Sequence, residues 1–167
     1  MFHVILFEPQ IPPNTGNIMR LCANSGCVLH LIEPLGFDLD LPAVRRAGLD
    51  YAELAIVRRH GSLGDCLIAL RGPRLFALET GLGRSYDAAR FQAGDALLFG
   101  PETRGLPAAA LDTVAPERRL EIPMREHNRS LNLANAVALV VYEAWRQNGF
   151  AGAACARRVA TVSQTPL

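Results

Sequence analysis

The chain has 167 residues, half of them hydrophobic, and a formal net charge of +1. That length suits one domain with a core of its own, and that composition excludes a disordered protein. A near-neutral charge provides no global field for a polyanion, and no apolar run is long enough to span a bilayer.

All 17 basic residues are arginine. Arginine offers planar, bidentate contacts to phosphate that lysine cannot. The basic pairs Arg45-Arg46, Arg58-Arg59, Arg118-Arg119 and Arg157-Arg158 are scattered, so any polyanion site has to be assembled by folding or by dimerisation. Four cysteines (Cys22, Cys27, Cys66, Cys155) show no paired spacing of the zinc type, and a chain of this size needs no disulfides. With no basic segment before its first apolar run, the chain reads as a cytoplasmic protein with reduced thiols.

In chain order, His3 to Phe7 reads as a buried strand, ended by the three prolines of Glu8 to Pro13. Asn14-Thr15-Gly16-Asn17 is read as the cap of a helix over Thr15–Asn24, stopped at Ser25-Gly26. A strand over Cys27–Ile32, a short helix over Leu41–Ala47 and a short strand over Leu54–Val57 follow. Arg58-Arg59-His60 then falls in a loop, and Ser62 caps a helix to about Leu70. Strands are expected at Arg74–Leu78, Asp95–Phe99 and Arg119–Pro123, and helices at Pro107–Val114 and Ser130–Gln147. Strands that alternate with helices and are apolar throughout predict an α/β fold, a mostly parallel sheet with helices on both faces. A single domain is expected over residues 1–150, with a loose tail over 151–167. The last helix is apolar nearly all round, which calls for two partners, the sheet and a second subunit; a homodimer is expected.

Three strand-to-helix junctions stand out. They are Asn14-Thr15-Gly16-Asn17 with Arg20, Gly100-Pro101-Glu102-Thr103-Arg104-Gly105, and Asn128-Arg129-Ser130-Leu131-Asn132 with Asn135. Ligands of open α/β sheets bind at the carboxyl ends of strands, and helix starts offer free N–H groups. Each junction alone is also explained by ordinary capping, and Glu102 with Arg104 by an ion pair inside one loop. His3 and His30 read as satisfied core or edge histidines. His60 and His127 have no metal-ligand spacing, and no metal is expected. A phosphate loop, a dinucleotide fingerprint and a hydrolase elbow are all missing from the sequence.

Pro12-Pro13-Asn14-Thr15-Gly16-Asn17-Ile18-Met19-Arg20, Leu98 to Pro107, and Arg129 to Val137 together resemble the three motifs of the SPOUT RNA methyltransferases. The order and spacing are similar to those of the small single-domain enzymes that methylate the 2′-oxygen of the tRNA wobble nucleotide, and the likeness runs to about Gly149. The resemblance implies a carboxyl-terminal trefoil knot, a homodimer, S-adenosylmethionine as donor and a tRNA substrate, leucine tRNAs in particular. Carried over by position, Leu78, Gly100, Ile122, Ser130 and Leu131 hold the donor. The catalytic group implied is Arg20, Glu102, Asn17 and Asn135. Arg20 is the family's usual base, but a guanidinium holds its proton so firmly that it equally suits holding a phosphate or a developing alkoxide. Glu102 holds Arg20 or an adjacent asparagine. Arg45, Arg46, Arg129 and Tyr142 are candidate RNA contacts. Ala134 stands where some relatives have serine. Ribosomal RNA as substrate, or RNA binding without catalysis, remain the alternatives.

Overall fold

The computed structural model describes residues 1–38, 56–128 and 130–154. Its centre is a six-stranded, all-parallel sheet built from β1 (His3–Phe7), β2 (Val28–Ile32), β3 (Val57–His60), β4 (Leu75–Leu78), β5 (Ala96–Phe99) and β6 (Arg119–Leu120). The strand order is β3-β2-β1-β5-β4-β6. The order reverses between β1 and β5, which opens a crevice at the carboxyl ends of the strands, the usual ligand position of such sheets.

Side chains alternate between two cores. Val4, Leu6, Leu29, Leu31, Leu97 and Phe99 face α1 (Pro12–Ser25) and α4 (Leu133–Gln147). Ile5, Ile32, Ala77 and Leu98 face α2 (Leu63–Ala69) and α3 (Ala108–Leu111). Burial on both faces is why the central strands lack a polar alternation.

Several element boundaries differ from the sequence reading. Helix α1 starts at Pro12, with Ile11 as a cap residue that supplies no side-chain bond. Two prolines tolerate the first turn because their missing N–H groups need no partner there, and this moves Asn14 inside the helix. Strand β3 is Val57–His60, so Arg58, Arg59 and His60 lie within a strand rather than a loop. At a sheet edge the two arginines project into solvent and disfavour further pairing. Helix α4 starts at Leu133, because the Asn132 side chain caps it by accepting from Ala134 N and Asn135 N; Ser130 and Leu131 therefore precede it. Pro107 caps α3 rather than opening it, and β6 stops at Leu120. The expected helix at 41–47 and the first half of the expected strand at 54–57 fall outside the described residues.

Leu139 and Tyr142 of α4 are exposed, so among the described residues the helix is covered on one side. After α4, Phe150 packs edge-on against Trp145, whose indole N–H donates to the Ala151 carbonyl.

On the α2 side, three histidines form a diagonal across β1, β2 and β3. His30 is in register with Ile5 and Arg58, and His3 and His60 stand two residues to either side of those partners. His3 Nδ1 lies 3.1 Å from His30 Nε2, and His30 Nδ1 lies 2.9 Å from His60 Nε2. Burial, aided by the charges of His3, His60 and Arg58, pushes His30 down to about 4, and burial also lowers His3 and His60. A row of neutral imidazoles can share one N–H per contact. His30 is thus a satisfied core group and His3 a partly exposed partner beside it, in line with the sequence reading of core or edge histidines, whereas His60 meets His30 in a way its spacing did not reveal.

Candidate functional site

A cavity of about 440 Å³ opens at the carboxyl ends of β4, β5 and β6. Its walls come from four segments: Leu78, Glu79 and Thr80 after β4; Phe99 through Gly105 after β5; Ile122 and Met124 after β6; and Ser130, Leu131, Leu133 and Ala136 around the start of α4. All five residues expected to hold a donor, Leu78, Gly100, Ile122, Ser130 and Leu131, are on this wall.

The loop after β5 turns tightly upon itself. A side chain at Gly100 would place Cβ 2.5 Å from Leu106 N and 2.6 Å from the Gly105 carbonyl carbon. Glycine at 100 therefore serves the loop's own closure, beyond any approach to a ligand. Gly105 sits at φ +69°, and its bare Cα leaves room for the Glu79 carboxylate, which accepts from Leu106 N at 2.6 Å and from Thr80 N at 2.9 Å. Glu79 is a site residue that sequence reasoning missed. Its place just after an apolar strand, beside Leu78, was the available signal.

Glu102 does not pair with its neighbour Arg104. One oxygen accepts from Gln10 N at 2.9 Å. The other accepts from Ile11 N at 3.3 Å and from Asn14 Nδ2 at 3.0 Å. Arg104 instead forms an ion pair with Glu8. Both charged groups of the β5 loop thus reach across to the β1 loop. The carboxylate holds the backbone that enters α1 and the Asn14 side chain in its first turn, at the end where the helix dipole favours an anion.

The chain of contacts continues. Asn14 Oδ1 accepts from Asn132 Nδ2 at 2.9 Å, and Asn132 Oδ1 caps α4. Glu102, Asn14 and Asn132 therefore join the three junctions into one hydrogen-bonded assembly. Sequence reading expected the junctions to converge. It placed the convergence on Asn17, Arg20 and Asn135, with an adjacent asparagine as the alternative partner of Glu102; that partner is Asn14. Asn17, Arg20 and Asn135 are exposed and are not part of the cavity wall. Asn14, by contrast, is 6% exposed, so its amide has little access to water and depends on these partners. The sequence signal for it was a polar residue at a period matching the buried Ile18 and Cys22 of α1. Tyr142 is exposed on α4, edge-on to Trp145, while Arg45, Arg46 and Arg129 fall outside the described residues.

The arrangement combines apolar walls (Leu78, Phe99, Ile122, Leu131), the carboxylates of Glu79 and Glu102, the guanidinium of Arg104, which is paired with Glu8, and the hydroxyls of Thr80, Thr103 and Ser130. Such a cavity suits a ligand with a flat apolar ring, ribose-like hydroxyls and a positive centre. Helix α1, which carries Arg20, is attached to the cavity wall through Glu102 and Asn14.

Residues 1–142 match the model of the SpoU rRNA Methylase family. A tRNA (cytidine(34)-2'-O)-methyltransferase of Burkholderia pseudomallei is 58% identical over 158 residues, covering 92% of this chain and 100% of that protein. A solved structure described as "Structural insights into the 2-OH methylation of C/U34 on tRNA" superposes with a TM-score of 0.81 at 48% identity, over 90% of this chain and 97% of the other. The SpoU methyltransferase AviRb from Streptomyces viridochromogenes, solved in complex with the cofactor AdoMet, gives a TM-score of 0.75 at 26% identity, over 87% of this chain and 57% of the other.

Proposed function

The chain belongs to the SpoU rRNA Methylase family, and from that premise we propose that it transfers a methyl group from S-adenosylmethionine to the 2′-oxygen of the wobble nucleotide, C34 or U34, of tRNA. The observation that carries this reading is the hydrogen-bonded joining of three sequence-distant junctions, two of which line one cavity, in a chain matched along 92% of its length by an enzyme of that activity. Leucine tRNAs are the proposed substrates, and the cytoplasm the proposed location.

The cavity fits the donor. Leu78, Ile122 and Leu131 offer apolar surface for an adenine ring, and the Gly100 and Ser130 segments offer main-chain polar groups at its edge. The Glu79 and Glu102 carboxylates place negative charge on the wall of a site meant for a sulfonium cation. When bound, the donor supplies an electrophilic methyl group for an in-line displacement by the ribose oxygen. The protein's part is to bind, align and manage one proton. Arg20, on the helix whose entry Glu102 holds, holds the phosphate or the developing alkoxide of the acceptor nucleotide, and Asn17 and Asn135 orient polar groups around it. Holding two reactants in line can by itself supply about 7–11 kcal/mol of the barrier.

The trefoil knot belongs to the same reading. β6 lies at the outer edge beside β4, yet the following residues return to place Ser130 and Leu131 on the cavity wall and α4 against α1. A homodimer is proposed on the exposed Leu139 and Tyr142 of α4, which leave an apolar strip that a second copy would cover. Arg45, Arg46 and Arg129, with Tyr142, are the proposed RNA contacts.

The test is methyl transfer from labelled donor to total tRNA and to ribosomal RNA, with mass-spectrometric mapping of the product. Label at the 2′-oxygen of nucleotide 34 is expected. Label confined to ribosomal RNA, or RNA binding without label, would overturn the reading.

A further inference from the structure

Away from the cavity, the histidine row on the α2 face of the sheet has a fourth neighbour. The ligand-capable atoms of His30, His60 and Cys66 all lie within 4.8 Å of one another. We propose that these three side chains form a binding site for a zinc-class divalent cation, with a solvent molecule as fourth ligand.

The donor set is the first argument. Two imidazoles and one thiolate are the nitrogen and sulfur ligands that zinc selects, and three protein ligands leave one position open. Spacing is the second. Tetrahedral zinc holds nitrogens at about 2.0–2.1 Å, which places a ligand pair roughly 3.4 Å apart. His30 Nδ1 and His60 Nε2 stand 2.9 Å apart, so a small separation of the two rings admits the ion. The third argument is the support behind the ligands. With Nδ1 on the metal, His30 carries its proton on Nε2 and donates it to His3 Nδ1, already 3.1 Å away. A ligating histidine typically donates its other N–H in this way, which fixes its tautomer and orientation.

Access and rigidity also fit. His30 and Cys66 are buried on a strand and a helix, whereas His60 is partly exposed at the end of an edge strand and marks the entry side. On binding, the His60 proton resides on Nδ1 and Cys66 releases its thiol proton to solvent. No oxidation or reduction takes place. The sequence did not announce the site because its ligands come from positions 30, 60 and 66 on two strands and a helix, with no short-range spacing.

The experiment uses the full chain, without a histidine tag and with reduced thiols, titrated with cobalt(II) and then with zinc(II). One equivalent of cobalt is expected to produce a sulfur-to-cobalt charge-transfer absorption, and zinc to displace it and raise the melting temperature. Cys66→Ser and His60→Ala are each expected to lose the absorption, and His3→Ala to weaken binding by about 10-fold. Cys66 lies in the core, so its replacement can unfold the chain. His60→Ala, at a partly exposed position and checked by circular dichroism, keeps the test decisive. The proposal is overturned if folded wild-type protein gives no charge-transfer absorption. It is equally overturned if folded His60→Ala binds cobalt like wild type, or if the absorption follows Cys22 and Cys27 instead of Cys66.

Discussion

The two ends of β5 handle a carboxylate in opposite ways. At the amino end, Asp95 is 2% exposed and is held by a bidentate Arg74, both N–O distances 2.7 Å, with Gln92 N donating a third bond at 2.7 Å. At the carboxyl end, Glu102 accepts from neutral donors of the β1 loop and α1, which are Gln10 N, Ile11 N and the Asn14 side chain. The first arrangement neutralises a buried charge with partners close in sequence, and it closes the bottom of the sheet. The second uses a half-solvated charge to hold together segments about 90 residues apart, at the cavity. One serves stability, the other the alignment of a site.

Breaking the first should show in stability alone. Arg74→Ala strands the Asp95 carboxylate, and unfolding in denaturant should become easier by about 3 kcal/mol, the low end for an unpaired buried charge because Arg74 is partly solvated. Methyl transfer per folded molecule should stay near wild type. A large fall in kcat at full folding would erase the contrast.

Breaking the second should show mainly in activity. Glu102→Gln keeps the shape but replaces one acceptor oxygen by a donor facing other donors. A displaced α1 should lower kcat/KM for methyl transfer by about 100-fold, with a stability loss near 1 kcal/mol. Equal losses of stability and activity would mean that Glu102 only props the fold.

Asn14→Ala removes the link between Glu102 and Asn132 and should reduce kcat/KM by roughly 10-fold. In a double-mutant cycle with Asn132→Ala the two changes should be non-additive by more than about 0.5 kcal/mol, since each removes the same bond. Additivity would show that the three junctions do not act as one unit.

The histidine row offers the smallest and most gradual effect. In chelator, His30 titrates at about 4 in the folded chain against an ordinary value of 6.5. The unfolded chain therefore binds more protons between those limits. Stability contributed by the neutral ring is complete above about pH 6.5 and is lost as pH falls toward 4, about 1 kcal/mol by roughly pH 5.5. Thermal melts of His30→Gln, whose stability should fall less steeply than wild type over that window because His3 and His60 still titrate, check the assignment.

Much of the fold was legible along the chain. Continuous apolar runs such as Leu97-Leu98-Phe99 encode strands buried on both faces, and Ser62 and Gly26 mark helix ends through local hydrogen bonding and a left-handed φ of +73° at Gly26. These signals act over a few residues, so a linear reading captures them. The three motif junctions and the general position of the site at strand ends came from the same kind of evidence, whereas Leu78, Gly100, Ile122, Ser130 and Leu131, which line the cavity, were implied by the family resemblance alone.

Tertiary structure decided the partners. That Glu102 holds Gln10, Ile11 and Asn14 at the entry of a helix beginning at Pro12, that Arg104 reaches Glu8, and that Asn14 meets Asn132 depend on the reversal of strand order between β1 and β5. That reversal sets the β1 and β5 loops side by side. The same holds for His3, His30, His60 and Cys66. A two-residue stagger between parallel strands aligns the histidines, and a helix packed over them brings the thiol. Side-chain pairing across a sheet is set by register and crossover, which no local spacing records, so the sequence by itself determined which groups are available and the fold determined which of them meet.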